Sequence, residues 1–363
     1  MRIVIAGGGT GGHLMPALAL AAALIELRED VEPVLVGAER GIEASILPHR
    51  PYRYHLLPLE PIHRHAWWRN LRWPFLVWRV AAGCKRVLDV ESPACVVGTG
   101  GYVSGPVLFQ AARRGIPVAL QEQNALPGVA TRLMARRASQ VYLGFPEAER
   151  YLKLGRDTTV HVFGNPITPP PEPRPDPAAA RRAFGIAAHQ RVLLVMGGSQ
   201  GARRVNAAVR DLLDTGGLSD IALLWGTGRS MWDVFSHYHE PPARHVRAFW
   251  DPIADAYAVA DLVVARSGAM TTAELCAWGL PAIYIPLPTS TADHQMKNAA
   301  ALAQVGAAEL IPERELSTQR LRAVIERLFA GADELSRMSR AARDRGRPEA
   351  ARKSASQLLT IVS

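Results

Sequence analysis

His13 is the one titratable side chain at the lip of a glycine-rich turn, GGGTGGH at residues 7–13. An apolar, β-branched run (Ile3, Val4, Ile5) enters the turn, and an apolar helical run with Pro16 near its start leaves it. Strand, tight glycine turn and helix in that order present backbone N–H groups and a helix N-terminus to an anion. The pattern returns at 98–106 (GTGGYVSGP), at 197–209 (GGSQGARRVNAAV, entered from RVLLVM) and at Ser267-Gly268. In the last, Glu274 falls about a turn and a half inside the helix. A carboxylate there can accept two ribose hydroxyls while the helix N-terminus faces a diphosphate. The competing account, an ordinary surface glutamate, is weakened by the glycine turn just before it. No D-x-D motif and no His/Cys cluster of metal-ligand spacing occurs, so a diphosphate must be met by the amides of 197–202 and 267–272.

The recurring unit predicts an α/β fold of two doubly wound parallel sheets. Strands are expected at 34–37, 94–97, 116–120 and 160–163, then at 191–196, 221–225, 246–249, 262–264 and 282–285. Ligands of such sheets lie beyond the carboxyl ends of the strands, so 7–13, 98–104 and 122–124 should share one edge. The length of 363 residues suggests two domains. We expect a first at 1–164, a proline-rich linker at 165–177 and a second at 178–344. The arginine-rich helical tail, about 345–363, should return to the first domain.

The formal charge is +9, with arginine far outnumbering lysine. Its sharpest concentration is 60–87, where Trp67, Trp68, Trp73 and Trp78, half of the 8 tryptophans, alternate with Arg64, Arg69, Arg72, Arg79 and Phe75. One account is a core helix with a wet arginine face. The other is an edge for the headgroup zone of an anionic bilayer, since Pro74 should start a helix and leave several indoles in a loop. Nucleic acid is disfavoured because no recognised binding motif accompanies the patch. No apolar run is long enough to span a bilayer, and a strand and glycine turn before 14–25 argue against a cleaved signal. Three scattered cysteines (Cys84, Cys95, Cys276) exclude a disulfide framework or a structural zinc site. A dehydrogenase reading of Gly7, Gly9 and Gly12 fails because Glu32 precedes the end of the second strand.

In order, GGGTGGH, GTGGYVSGP, EQN, GNP, GGSQGA, RSGAMTTAE, GLPAIYIP and DHQ-x-x-NA resemble the MurG family of GT-B glycosyltransferases, from Gly7 to about Ala299. The resemblance implies two Rossmann-like domains facing a cleft. It implies metal-independent, inverting transfer of N-acetylglucosamine (GlcNAc) from UDP-GlcNAc to lipid I, giving lipid II for peptidoglycan, with no cofactor. It places the chain peripherally on the cytoplasmic face of the inner membrane, with cell-wall or division proteins as further partners. For the donor it implies Thr10, Gly11, Gly12, Asn124, Ser199, Gln200, Gly201, Phe249, Trp250 (bordering uracil mostly through backbone), Ala269, Met270, Thr271, Glu274 and Gln295. For the acceptor it implies Gly101, Tyr102 and Ser104. His13 is the preferred general base, because an imidazole titrates near neutrality; the alternative is a structural histidine bonded to its turn. Glu122 is the second candidate. Two positions depart from the family pattern: Thr168 stands where an arginine is frequent, and Gln121 where a histidine precedes EQN. Rival readings are a diacylglycerol glycosyltransferase, a UDP-GlcNAc epimerase, and a non-catalytic nucleotide-binding membrane subunit.

Overall fold

The structure, a computed structural model, describes residues 1–60, 73–198, 201–218 and 220–362, with backbone alone along 73–77 and at 332. The chain divides into two compact units, Met1–Thr168 with Arg347–Ser363, and Pro169–Gly346.

The first unit runs β1 (Arg2–Gly7), α1 (Gly11–Leu27), β2 (Glu32–Ala38), α2 (Glu43–Ile46), β3 (Arg53–Leu57), α3 (Trp73–Glu91), β4 (Cys95–Gly100), α4 (Gly101–Arg113), β5 (Val118–Glu122), α5 (Val129–Met134), β6 (Gln140–Leu143) and β7 (Thr159–His161). Its seven strands are all parallel, in the order β3-β2-β1-β4-β5-β6-β7. Both faces are covered, so β1 reads as a continuous apolar run instead of an alternating one. Its residues still alternate: Ile3 and Ile5 pack with Leu14, Leu20 and Leu24 of α1. Val4 and Ala6 pack with Val80, Cys84 and Val87 of α3 and Val103 and Val107 of α4.

The second unit runs α6 (Pro177–Phe184), β8 (Arg191–Met196), α7 (Arg203–Asp214), β9 (Ile221–Gly226), α8 (Trp232–Phe235), β10 (Arg244–Arg247), α9 (Ala254–Val259), β11 (Leu262–Ala265), α10 (Ala269–Trp278), β12 (Ala282–Tyr284), α11 (His294–Gln304), β13 (Ala308–Leu310), α12 (Thr318–Ala330) and α13 (Ala332–Arg345). Its parallel sheet has the order β10-β9-β8-β11-β12-β13. Helix α6 starts where Pro177 follows Asp176, whose carboxylate caps the N–H groups of Ala178 and Ala179, and it stops at Gly185 in the left-handed conformation. The proline-rich stretch before it is anchored: Arg174 donates to the Ala277 carbonyl at 3.1 Å and lies over the Trp278 ring.

Helix α14 (Ala350–Leu359) is part of the first unit. It lies on α1 and buries Ala355 and Leu358 in the same cluster as Ile3, Ile5 and Leu24. Strands β6 and β13 escape the reading of the sequence, and β10 ends at Arg247, two residues before the expected Phe249. These are strands of four residues or fewer in which sheet neighbours, and not local pattern, impose the conformation. The three cysteines are free and buried, and burial pushes the thiols of Cys84 and Cys95 up to about 12, which leaves them unreactive.

Candidate functional site

In each sheet, chain direction reverses its order about a central pair, β1/β4 in the first unit and β8/β11 in the second. At such a switch point the loops beyond the strand ends part and leave a crevice. Three of the glycine turns singled out from the sequence follow β1, β8 and β11; the fourth, 98–106, is taken up by the end of β4 and the start of α4.

In the first unit the turns after β1 and β4 touch. Gly101, at φ +77°, could carry no side chain, because a Cβ there would overlap the Gly8 carbonyl oxygen. His13 lies in the first turn of α1, half-buried, its ring over Gly100 and Gly101. Its Nδ1 shares a hydrogen bond of 3.0 Å with Thr10 Oγ1, and its carbonyl accepts from the buried hydroxyl of Thr99 at 2.9 Å. Thr10 itself is the extended N-cap residue of α1, and Gly12 is exposed beside it. Tyr102 packs its ring over Gly9, and burial, together with the charges of Glu43 and Glu60, raises its phenol. The Ser104 hydroxyl is buried and donates to the Gly101 carbonyl at 3.2 Å.

Glu122 ends β5, 2% exposed, with both oxygens engaged. Oε1 accepts from the backbone and side-chain nitrogens of Asn124 (3.0 and 3.3 Å); Oε2 accepts from Gly128 N–H (3.0 Å) and Thr131 Oγ1 (2.6 Å). Four donors leave it shaping the loop that carries Asn124. Gln121, in place of the family's histidine, is fully buried with its amide toward the Gly164 carbonyl.

In the second unit Ser199 and Gln200 lie outside the described residues. Gly201, at φ +79°, sits where a Cβ would overlap the Thr227 carbonyl oxygen, so this turn also depends on close backbone approach. Beyond β11, α10 starts at Ala269 with no side chain capping it, its N-terminus at the switch point. The turn before it is pinned from three directions. Ser267 Oγ donates to the Gln295 carbonyl at 2.8 Å, Asn298 Nδ2 donates to the Ser267 carbonyl, and the Arg266 guanidinium bonds the carbonyls of Ile285 and Pro286 while pairing with Glu313. Gln295 is fixed by Leu287 N–H donating to its Oε1 at 2.9 Å. Met270 and Thr271 are half-buried on the first turn of α10.

Burial raises the Glu274 carboxyl above its ordinary range, and the Tyr257 hydroxyl, donating to Oε2 at 3.2 Å, opposes this only in part. Of the two aromatics expected at a base, Phe249 is 43% exposed with Arg229 over its ring, whereas Trp250 is 4% exposed. Trp250 packs edge-on to Phe184 beneath Arg247, so any contact it makes with a ligand is through its backbone. Among the described residues no group of three or more His, Cys, Asp or Glu side chains is arranged to hold a metal ion.

The sequence analysis missed Tyr257, Thr99, Thr131 and Glu43. Each carries a hydrogen bond to a site segment; Thr99 stands inside GTGGYVSGP, whereas Tyr257, Thr131 and Glu43 stand in no motif.

The glycosyltransferase family 28 N-terminal domain matches residues 3–143, and the family 28 C-terminal domain matches residues 192–358. A UDP-N-acetylglucosamine--N-acetylmuramyl-(pentapeptide) pyrophosphoryl-undecaprenol N-acetylglucosamine transferase of Salinibacter ruber is 40% identical over 99% of this chain and 97% of its own. A transferase of the same name from Moorella thermoacetica is 38% identical over 96% of each chain. The chain belongs to the MurG family of glycosyltransferases. The crystal structure of Acinetobacter baumannii MurG superposes with a TM-score of 0.80 at 26% identity over 99% of each chain. A UDP-GlcNAc 2-epimerase of Neisseria meningitidis shares the fold at 14% identity with a TM-score of 0.66. Like other MurG-family members, this chain is a GT-B glycosyltransferase.

The raised Glu274 carboxyl carries a stability consequence. A carboxyl whose folded pKa exceeds its unfolded value costs stability when ionised; the cost is present above the folded pKa and disappears as pH falls to the unfolded pKa, about 4.3. Glu274→Gln should therefore raise the thermal midpoint of the second unit at pH 7, and calorimetry across pH should show the gain fading toward pH 4. A variant less stable than the parent at pH 7 would contradict this account.

Proposed function

We propose that the protein transfers GlcNAc from UDP-GlcNAc to the 4-hydroxyl of the N-acetylmuramic acid of lipid I, with inversion and without a metal ion, yielding lipid II and UDP. The observation that carries this reading is the near-full-length match, across both units, to relatives whose names specify that reaction. The solved epimerases share the fold at too low an identity to favour their chemistry.

The donor's uridine is assigned to the second unit. Glu274, half-buried and steadied by Tyr257, accepts the ribose hydroxyls, Phe249 borders the base, and the amides of Ala269, Met270 and Thr271 at the start of α10 meet the diphosphate. Gln295, whose Oε1 is held by Leu287, turns its amide nitrogen to the sugar. Gly201 and the neighbouring Ser199 and Gln200 complete the phosphate contacts. Charge-assisted hydrogen bonds from backbone amides contribute roughly 1.5–3 kcal/mol each, so several of them stabilise a departing diphosphate on the scale that a cation would.

The first unit supplies the acceptor side. Gly101, Tyr102 and Ser104 are assigned to the acceptor, and Thr10, Gly11, Gly12 and Asn124 to the transferred sugar and its phosphates. His13 is the base. With Nδ1–H donating to Thr10 Oγ1, Nε2 carries the lone pair that accepts the proton as the 4-hydroxyl attacks the anomeric carbon and the bond to UDP breaks. Glu122 is passed over for this role because four donors already occupy its oxygens.

The acceptor's polyprenyl tail requires a membrane surface, and we assign that contact to α3 and its neighbours α4 and α5. Trp78 is 67% exposed and Leu133 67% exposed, and the exposed Phe109 ring lies between the guanidiniums of Arg113 and Arg137. Arg79 is exposed next to Trp78, and Trp73 and Phe75 lie on the first turn of the same helix. Trp67, Trp68, Arg69 and Arg72, expected at this edge, lie outside the described residues. Among the described residues no helix is long and apolar enough to cross a membrane. We place the protein peripherally on the cytoplasmic face of the inner membrane, where cell-wall or division proteins would meet it.

Purified protein incubated with labelled UDP-GlcNAc and lipid I should form a β-linked disaccharide on the lipid; release of free label or epimerised sugar alone would sink the proposal. In that assay His13→Ala should lower kcat by about 10²–10⁴-fold while calorimetric UDP affinity stays within about two-fold. Turnover within a few-fold of the parent removes His13 as the base. Replacing Trp78, Phe109 and Leu133 together with Ser should weaken binding to anionic vesicles in sedimentation while sparing UDP affinity, and unchanged sedimentation would count against the membrane assignment.

A further inference from the structure

Glu43 opens α2, and its side chain is fully buried beneath the turn joining β1 to α1. Oε1 accepts from Gly9 N–H at 2.6 Å and, more distantly, from Ala38 N–H at 3.4 Å. Oε2 is equally buried and has no hydrogen-bond partner among the described residues. The backbone around it is shaped to admit a carboxylate: a Cβ at Gly8 or at Gly41 would overlap one of its oxygens, and a Cβ at Gly37 would stand 2.7 Å from Glu43 Cβ. A buried carboxylate with an unpaired oxygen is costly to a fold, and an amide or apolar side chain of similar size would spare that cost.

What the carboxylate obtains is the amide of Gly9, a residue at φ +86° with the Tyr102 ring on its other side. Gly9 is thereby clamped between Glu43 and Tyr102. The next residue is Thr10, the N-cap of α1 and the hydrogen-bond partner of His13 Nδ1. The Gly9 amide is spent on the protein's own carboxylate, while the His13 amide donates to the Thr10 carbonyl at 3.1 Å.

We propose that Glu43 is a positioning residue for transfer: an internal anion in the glycine turn of the first unit, fixing Thr10 and, through it, the orientation of His13. The inference rests on the assignment of His13 as base, and the test separates the two. Glu43→Gln keeps the reach of the side chain but weakens the acceptor. Gly41→Ala leaves the glycine turn untouched and drives a methyl group into the space of Oε2, at a position whose backbone is outside the left-handed region and tolerates alanine.

In steady-state transfer at saturating donor and acceptor, each variant should lose roughly ten-fold or more in kcat, with UDP affinity within about two-fold and kcat falling further than any change in KM. In amide NMR, the Gly9 proton should be shifted downfield and slow to exchange in the parent, and should lose both features in the variants. Because Glu43 acts through His13, His13→Ala combined with Glu43→Gln should be no slower than His13→Ala alone. Parent-like kcat per folded molecule with only a lowered thermal midpoint would make Glu43 a fold-stabilising carboxylate and overturn the inference. So would an additive loss in the double variant. Parent-like turnover in His13→Ala would instead strike the base assignment, a result read independently of either Glu43 variant.

Discussion

Close approach of backbone to backbone at the strand ends is the constraint on which the rest of the structure depends. Two parallel strands that part at a switch point can bring amides to a phosphate only if their loops carry no side chains at the crossing. Gly101 against the Gly8 carbonyl is that crossing in the first unit; in the second, Gly201 after β8 makes a like approach to the Thr227 carbonyl after the neighbouring β9. Everything else at the two sites is held by reference to them. His13 rests on the first, and the α10 turn opens at the same sheet edge as the second. A methyl group at either crossing would shift the amides by more than a hydrogen bond tolerates.

Around these crossings the chain accepts local instability. Desolvation raises the Glu274 carboxyl, with one tyrosine hydroxyl as partial relief. Glu43 keeps an unpaired oxygen beneath the opposite turn. Glu122, by contrast, is satisfied on both oxygens and serves architecture. These carboxylates are thus told apart by what they lack. Each unmet or desolvated oxygen costs on the order of 1–3 kcal/mol, a large share of a typical domain's net stability.

Much of this was legible in the sequence, because glycine turns after apolar runs are local signals. The doubly wound sheets, the opening of α1, α7 and α10, and the place of Glu274 follow from spacing, whereas α4 opens at Gly101, inside the stretch read as a glycine turn. What escaped is what tertiary contact decides. Strand β13 is three residues long and exists because β12 pairs with it. The closing-off of the Trp250 ring by Phe184 and Arg247 is likewise a tertiary contact that no local pattern announces. Glu43 stands in no motif, and only the folded β1–α1 loop above it reveals its buried carboxylate. Tyr257 likewise has no motif; it matters because α9 delivers its hydroxyl to Glu274.

The central claim is that backbone amides at two helix starts, and no cation, carry the charge of the departing UDP. The most direct test is the initial rate of GlcNAc transfer to lipid I by protein stripped of metals, measured in EDTA and again with Mg²⁺ or Mn²⁺ restored. The account predicts rates equal within about two-fold in all three conditions. A rate abolished by EDTA and recovered with the divalent ion would contradict it.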